Sequence, residues 1–68
     1  MGRLAEAEKL LSKAYELRPD AEIGAHLGEV LWATGKHEAA KEVWHAATQL
    51  DPANKTLKST LARFKVAP

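Results

Sequence analysis

The chain has 68 residues, with 10 lysines and arginines against 9 aspartates and glutamates and a formal net charge of +1. A length well below the ~150 residues of a typical domain indicates one small domain or a piece of a larger protein, and the balanced charge argues against a strongly basic nucleic-acid-binding domain. The absence of cysteine excludes disulfides, thiolate metal ligands and a cysteine nucleophile.

The predicted secondary structure consists of four helices, at about residues 3–18, 21–34, 37–50 and 54–66. Alanine, leucine, glutamate and lysine, which favour helices, dominate all four segments. Apolar residues recur at steps of three and four along each segment, the spacing that places them on one side of a helix. In chain order they are Leu4, Ala7, Leu10, Leu11, Ala14 and Leu17, then Ile23, Leu27, Val30 and Leu31, then Ala40, Val43, Trp44, Ala47 and Leu50, and finally Leu57, Leu61 and Phe64.

Local signals predict where the helices begin and end. Pro19 and Pro52 cannot continue the helices that precede them, because proline has no backbone N–H to donate. Asp20 and Asn54 can cap the next helix through a side-chain oxygen, and Gly35 suits a left-handed turn after the second helix. Connections this short require neighbouring helices to lie antiparallel.

The sequence matches itself at an offset of 33 residues, which becomes 34 after each proline. A repeat of this length that contains two helices is typical of a helical solenoid, in which similar helix pairs stack side by side. The matching pairs before each proline are Gly2 with Gly35, Ala7 with Ala40, Leu11 with Trp44, Ala14 with Ala47, Leu17 with Leu50 and Pro19 with Pro52; those after it are Ile23 with Leu57, Leu27 with Leu61, Gly28 with Ala62 and Val30 with Phe64.

The residues that carry this repeat resemble the tetratricopeptide repeat pattern at its usual spacing. They are Leu27, Gly28, Leu31, Gly35, Ala40, Trp44, Ala47 and Pro52. The sequence departs from the family at Gly24, where a tryptophan is favoured, and at Leu31, where a tyrosine is favoured. The string at 19–32 also resembles the C-terminal repeats of proteobacterial envelope tetratricopeptide proteins.

The resemblance implies an all-α fold in which antiparallel helical hairpins stack as a fragment of a tetratricopeptide-like solenoid. We expect residues 1–68 to form a single domain. Residues 2–20 would be the second helix of a partial repeat, 21–53 a complete repeat, and 54–66 a following or capping helix. An ankyrin array has a similar period, but its Thr-Pro-Leu-His-like turn is absent here. An ordinary three- or four-helix bundle is the remaining alternative.

The function implied by the resemblance is protein–protein interaction, without catalysis, through a concave groove that holds a peptide or a segment of a partner protein. The first helix of each repeat lines that groove in the family. Trp32 is then an apolar anchor, or else it covers the edge between the second and fourth helices. Glu22 and Glu29 favour a basic or amide-rich ligand. The expected groove residues are Glu22, Ala25, His26, Glu29, Trp32, Ala33, Thr56, Ser59, Thr60 and Arg63.

One ligand class is not expected in this groove. Chaperone-binding members of the family hold a terminal carboxylate with a clamp of lysine, asparagine and arginine. Ala25 and Glu29 stand where such a clamp needs lysine and asparagine. We therefore expect the chain not to bind C-terminal carboxylates in that way.

A second hypothesis, of a different class, is a structural or self-associating repeat fragment without a groove ligand. The first helix carries apolar residues on more than one side, and about one and a half repeats is fewer than the three usually needed for stability. Helix one is then the predicted contact between copies of the chain. The candidate residues for this contact are Leu4, Leu10, Leu11 and Tyr15.

Residues able to catalyse a reaction or bind a metal are present but are not spaced for either. His26, His37 and His45 include no His-x-x-x-His pair, and the glycines are isolated, so the sequence has no glycine-rich phosphate loop. Glu22 and Glu29 share one side of the second helix, but nothing predicts the burial that acid–base catalysis requires. We expect no enzymatic activity, no metal and no cofactor.

The expected partner is therefore a protein or peptide rather than a nucleic acid or a membrane. The last helix carries Lys55, Lys58, Arg63 and Lys65, but its aromatic residue, Phe64, is accounted for by packing. No stretch approaches the ~20 apolar residues that span a bilayer, so membrane insertion is not expected. The sequence leaves the compartment, cytoplasmic or periplasmic, open.

Overall fold

The four predicted helices are present in the computed structural model, which describes residues 2–66 and has no strand in that range. Helix α1 spans Gly2–Leu17, α2 spans Ala21–Ala33, α3 spans His37–Leu50 and α4 spans Lys55–Phe64. The all-α prediction is confirmed. Helix α4 ends two residues before the predicted boundary at 66, because Lys65 adopts a left-handed conformation with φ 55°. Residues 1, 67 and 68 of the predicted domain lie outside the described range.

Three predicted end signals act as expected. The Asp20 side chain accepts a hydrogen bond of 2.7 Å from the Glu22 backbone N–H, and Asn54 accepts one of 2.9 Å from the Leu57 N–H. These bonds satisfy N–H groups that have no partner within the first helical turn. Gly35 follows α2 with φ +85°, a conformation that favours glycine. Local chemistry therefore sets where α2 and α4 begin and where α2 ends.

Helix α2 is the centre of the fold. It contacts α1, α3 and α4, and α3 also contacts α4. The buried apolar core is built from α2, α3 and α4, with the partly buried Leu11 and Tyr15 of α1 packed against it. Its members are Ala21, Ala25, Leu27, Leu31, Ala40, Trp44, Ala47, Leu57 and Leu61.

Two glycines on α2 allow α3 to approach closely. Trp44 is 1% exposed, and its Nε1 donates a 3.2 Å hydrogen bond to the backbone oxygen of Ala25. A Cβ added at Gly28 would lie 2.0 Å from Trp44 Nε1, and one added at Gly24 would lie 2.9 Å from the Cβ of Ala47. The indole of Trp44 therefore occupies space that a larger residue at position 28 would take.

Tyr15 of α1 packs beside Gly24, the position where the family favours tryptophan. A Cβ at Gly24 would lie 3.1 Å from Tyr15 Cε1. An aromatic ring from the neighbouring helix thus lies next to this glycine. Burial of Tyr15 raises the pKa of its hydroxyl above the ordinary value of 10.0.

The raised pKa of Tyr15 makes stability depend on pH in the alkaline range. The unfolded chain releases this proton near the ordinary pKa of 10.0 while the folded chain retains it, so the stabilising contribution is intact below pH 10 and is lost above it. We expect chemical denaturation to show a larger stability loss above pH 10 in the native sequence than in Tyr15→Phe. Parallel pH profiles for the two proteins would contradict the prediction. The chain has 1 tyrosine, so phenolate absorbance reports this residue alone.

The four residues predicted to mediate self-association divide into two pairs. Leu11 and Tyr15 are half-buried and pack against the core, so the fold uses them in the contact between α1 and the rest of the chain. Leu4 and Leu10 are 43% and 69% exposed. The structure therefore removes Leu11 and Tyr15 from a surface that another molecule could contact, and leaves Leu4 and Leu10 on it.

Candidate functional site

The exposed sides of α2 and α4 form one continuous polar surface. We call it the α2–α4 face and define it by Glu22, His26, Glu29, Thr56 and Arg63. Helical spacing aligns the first three on α2 and the last two on α4, and the two helices are in contact. Side-chain hydrogen bonds cross between the helices at both ends of the face. The face is thus a connected network rather than a set of separate surface residues.

The end of the face near the start of both helices is organised around Glu22. The Thr56 hydroxyl donates a 3.0 Å hydrogen bond to Glu22 Oε2, and the Asn54 side-chain amide lies 3.5 Å from Oε1. Both donors are neutral, and the Glu22 side chain is 52% exposed. No lysine or arginine within residues 2–66 forms an ion pair with it. Glu22 is therefore a positioned carboxylate without a permanent counter-charge.

The other end is organised around Glu29. Arg63 Nη2 donates to Glu29 Oε1, which joins α2 to α4 by an ion pair. Arg63 Cζ also lies 5.1 Å from the centroid of the Phe64 ring, a position that favours the cation. Partly exposed pairs of this kind contribute only about 0–1 kcal/mol to stability. The pair matters here because it neutralises the charge of Glu29.

His26 lies between the two carboxylates. Its Nδ1 is 3.4 Å from Glu29 Oε2, and its Nε2 is 3.9 Å from Glu22 Oε2. The imidazole therefore bridges the two ends of the face along α2. With His26 neutral, the two carboxylates and the single guanidinium of Arg63 leave one unbalanced negative charge, and it resides at Glu22.

Two of the ten predicted groove residues are not at the surface. Ala25 is 0% exposed and Thr60 is 3% exposed. The Thr60 hydroxyl donates to the Thr56 backbone oxygen of its own helix at 2.8 Å, so its polar atom is satisfied internally. Ala25 and Thr60 therefore offer no surface to a ligand. Ala33 and Ser59 are exposed, as predicted for groove residues.

Trp32 belongs to an aromatic cluster rather than to the α2–α4 face. Its ring stacks on His37 with centroids 4.0 Å apart and on Trp44 at 5.7 Å. Phe64 of α4 lies 5.5 Å away in a tilted arrangement. The side chain is half-buried and packs against the core. These contacts favour the interpretation that Trp32 covers the edge between α2 and α4.

Sequence reasoning missed one contributor to the face. Asn54 was identified as the cap of α4, but its amide nitrogen also approaches Glu22 while its oxygen caps the helix. The available signal was the repeat, because Asn54 precedes Thr56 as Asp20 precedes Glu22 in the other copy. A cap residue at the start of α4 is thus also part of the polar network.

Other kinds of site are not found in the described part of the chain. Within it, no group of three or more histidine, aspartate or glutamate residues could hold a metal ion. Among its four helices, none is long and apolar enough to cross a membrane. The α2–α4 face is the site that we carry forward.

Comparison with known proteins gives one match. Residues 22–54 match the family model described as tetratricopeptide repeat, a segment that runs from the first turn of α2 to the cap of α4. Neither the curated proteins nor the solved structures gave a match. The resemblance to the tetratricopeptide repeat family is confirmed, whereas the similarity to proteobacterial envelope proteins is not shown.

Proposed function

We propose, from the match of residues 22–54 to a repeat that generally mediates protein–protein interaction, that this chain is a non-catalytic module that binds a peptide or a partner segment. The binding surface is the α2–α4 face, in a concave groove between the exposed sides of the two helices. The observation that carries the proposal is the half-exposed Glu22 carboxylate, which neutral donors hold in place.

We also propose the domain organisation that the repeat implies. Residues 2–20 act as the second helix of a partial repeat, 21–53 as a complete repeat, and 54–66 as a closing helix. Support comes from the contacts, because α2 packs against both the helix before it and the helix after it. In this arrangement α2 and α4 are the first helices of successive repeats, which places them side by side on the binding surface.

The chemistry of the face favours a ligand with a cationic or amide side chain. A lysine, arginine or glutamine of the ligand would donate to Glu22, the carboxylate whose charge is not neutralised. Glu29 is already paired with Arg63, so it contributes to the shape of the surface more than to its charge. Such a contact between exposed charges is screened by salt, so affinity should fall as ionic strength rises.

The same geometry argues against capture of a terminal carboxylate. The clamp known in the family needs lysine and asparagine at positions where this chain has Ala25 and Glu29. Ala25 is buried, and Glu29 would repel a carboxylate if its pair with Arg63 opened. An acidic C-terminal peptide is therefore the negative probe.

The test uses two synthetic peptides of equal length, one rich in lysine and glutamine and one with an acidic C-terminus. We expect the first to bind and to shift the backbone NMR signals of the α2–α4 face, and the second not to bind. Glu22→Lys should weaken binding of the basic peptide by about tenfold or more, because it replaces attraction with repulsion. The thermal midpoint should hardly change, since Glu22 is exposed.

The matched control is Glu38→Lys, which makes the same change in net charge at an α3 side chain that is 91% exposed. This variant should bind the basic peptide as the native chain does. Equal weakening by both variants would reduce the effect to overall charge and would refute the assigned site. Tight binding of the acidic peptide would refute the assigned ligand class.

A further inference from the structure

Helices α1 and α3 occupy equivalent positions in the repeat but are buried to different extents. Ala40 and Ala47 of α3 are 0% exposed, because α2 covers that side of α3. Their counterparts 33 residues earlier, Ala7 and Ala14 of α1, are only half-buried. No helix within residues 2–66 covers this side of α1 as α2 covers α3.

The uncovered side of α1 is apolar. Three of the four exposed large hydrophobic residues lie on α1, among them Leu10 at 69% and Leu17 at 77%. These two are seven residues apart, so they lie above one another on the helix surface beside Ala7 and Ala14. We call these four residues the α1 strip. The repeat makes the strip equivalent to a helix–helix contact surface rather than to an ordinary exposed side.

We propose that the α1 strip pairs with the α1 strip of a second copy of this chain, with the two helices antiparallel. The charges beside the strip support this occupant. Glu6 precedes Leu10 by four residues and Lys13 follows it by three, and both are exposed on the same flank. An antiparallel pair centred on Leu10 places Glu6 of each copy opposite Lys13 of the other. A parallel pair would place like charges opposite each other.

Glu6 and Lys13 are available for these contacts. Neither forms an ion pair with another residue in the range 2–66. Two symmetric Glu6–Lys13 pairs would therefore flank the two Leu10 side chains. Because the same surface is used by both copies, the assembly closes at a dimer.

The structure argues against the other arrangement of copies, in which α1 packs on α4 of the next chain as α3 packs on α2. The α2 positions that face α3 are Ala21, Gly24 and Leu31, all buried, and their counterparts 34 residues later are Lys55, Lys58 and Lys65, all exposed. A Cβ at Gly24 would already lie 2.9 Å from Ala47 Cβ. A lysine at the equivalent place on α4 blocks that packing.

The test is the mass of the chain in solution, measured by sedimentation equilibrium from the low micromolar to the millimolar range. The contact area is small, so we expect a weak dimer that dissociates on dilution and does not grow further. Leu10→Lys should weaken dimerisation by at least about tenfold, because it places a charge at the centre of the contact. Its thermal midpoint at low concentration should match the native value.

The matched control is Leu50→Lys, at the α3 counterpart of Leu17, which is 50% exposed and lies off the strip. This variant should dimerise as the native chain does. Glu6→Lys and Lys13→Glu should each weaken the dimer, and the double variant should restore it, because the pairs re-form with their signs exchanged.

Any of three results would overturn the proposal. They are a native chain that stays monomeric at millimolar concentration, assemblies that grow beyond two copies, or a charge-exchanged double variant no better than either single one. The α1 strip shares no residue with the α2–α4 face, so this experiment and the peptide-binding experiment can fail independently.

Discussion

Replacing Trp44 with alanine is expected to leave the chain without a stable folded state. Trp44 is 1% exposed and is one of the two largest fully buried side chains. Removing such a residue costs about 3–5 kcal/mol, and a core of this size rarely supplies more than ~3–5 kcal/mol in total. Far-UV circular dichroism should show loss of helix, and heating should give no cooperative transition.

Trp44→Phe separates the loss of ring volume and hydrogen bonding from loss of the fold. It keeps an aromatic ring between α2 and α3 but removes the Nε1–H that donates to the Ala25 oxygen. We expect this variant to fold with a lower thermal midpoint than the native chain. A cooperative transition for Trp44→Ala near the native midpoint would mean that the indole is not the centre of the core.

Gly28→Ala is the second change for which we expect a large effect. Glycine to alanine within a helix normally stabilises by ~1 kcal/mol, because alanine restricts the unfolded chain and favours helix. Here the sign should reverse, since the added Cβ would lie 2.0 Å from Trp44 Nε1. The indole is almost fully buried and cannot move away without separating α2 from α3. We expect a loss of about 1–3 kcal/mol in chemical denaturation.

Gly24→Ala is the matched comparison for this prediction. Its Cβ would lie 2.9 Å from Ala47 Cβ, a conflict that a smaller shift relieves. The loss should therefore be smaller than for Gly28→Ala. The Gly28→Ala penalty should also shrink in a Trp44→Phe background, because the smaller ring leaves room. Stabilisation by Gly28→Ala, or equal penalties in both backgrounds, would contradict the proposed contact.

Most of the fold could be predicted from the sequence because its determinants are local or repeated. Asp20 and Asn54 cap helices through their own side chains, and Gly35 ends α2 through its backbone conformation. Trp44 was predicted to be core by its place in the repeat, which the structure confirms. Helix spacing and two proline breaks were enough to place all four helices to within about two residues.

The candidate site could be predicted only in part. Glu22, His26 and Glu29 follow one side of α2, and the period of a helix alone predicts that they are neighbours. That period does not say which flank of the helix the next helix covers. Ala25 and Thr60 were assigned to the surface for this reason, although both are buried. The pairing of Arg63 with Glu29 also depends on how α4 is aligned with α2.

The sequence by itself determined the helices, their caps and the two-helix repeat, since each depends on residues close in the chain or on a period. The tertiary structure alone decided which apolar residues of α1 are covered. Leu10 and Leu11 are neighbours with the same hydrophobicity, yet Leu11 packs on the core and Leu10 is 69% exposed. Successive residues of a helix point about 100° apart, so one helix lying against α1 can cover only one of them.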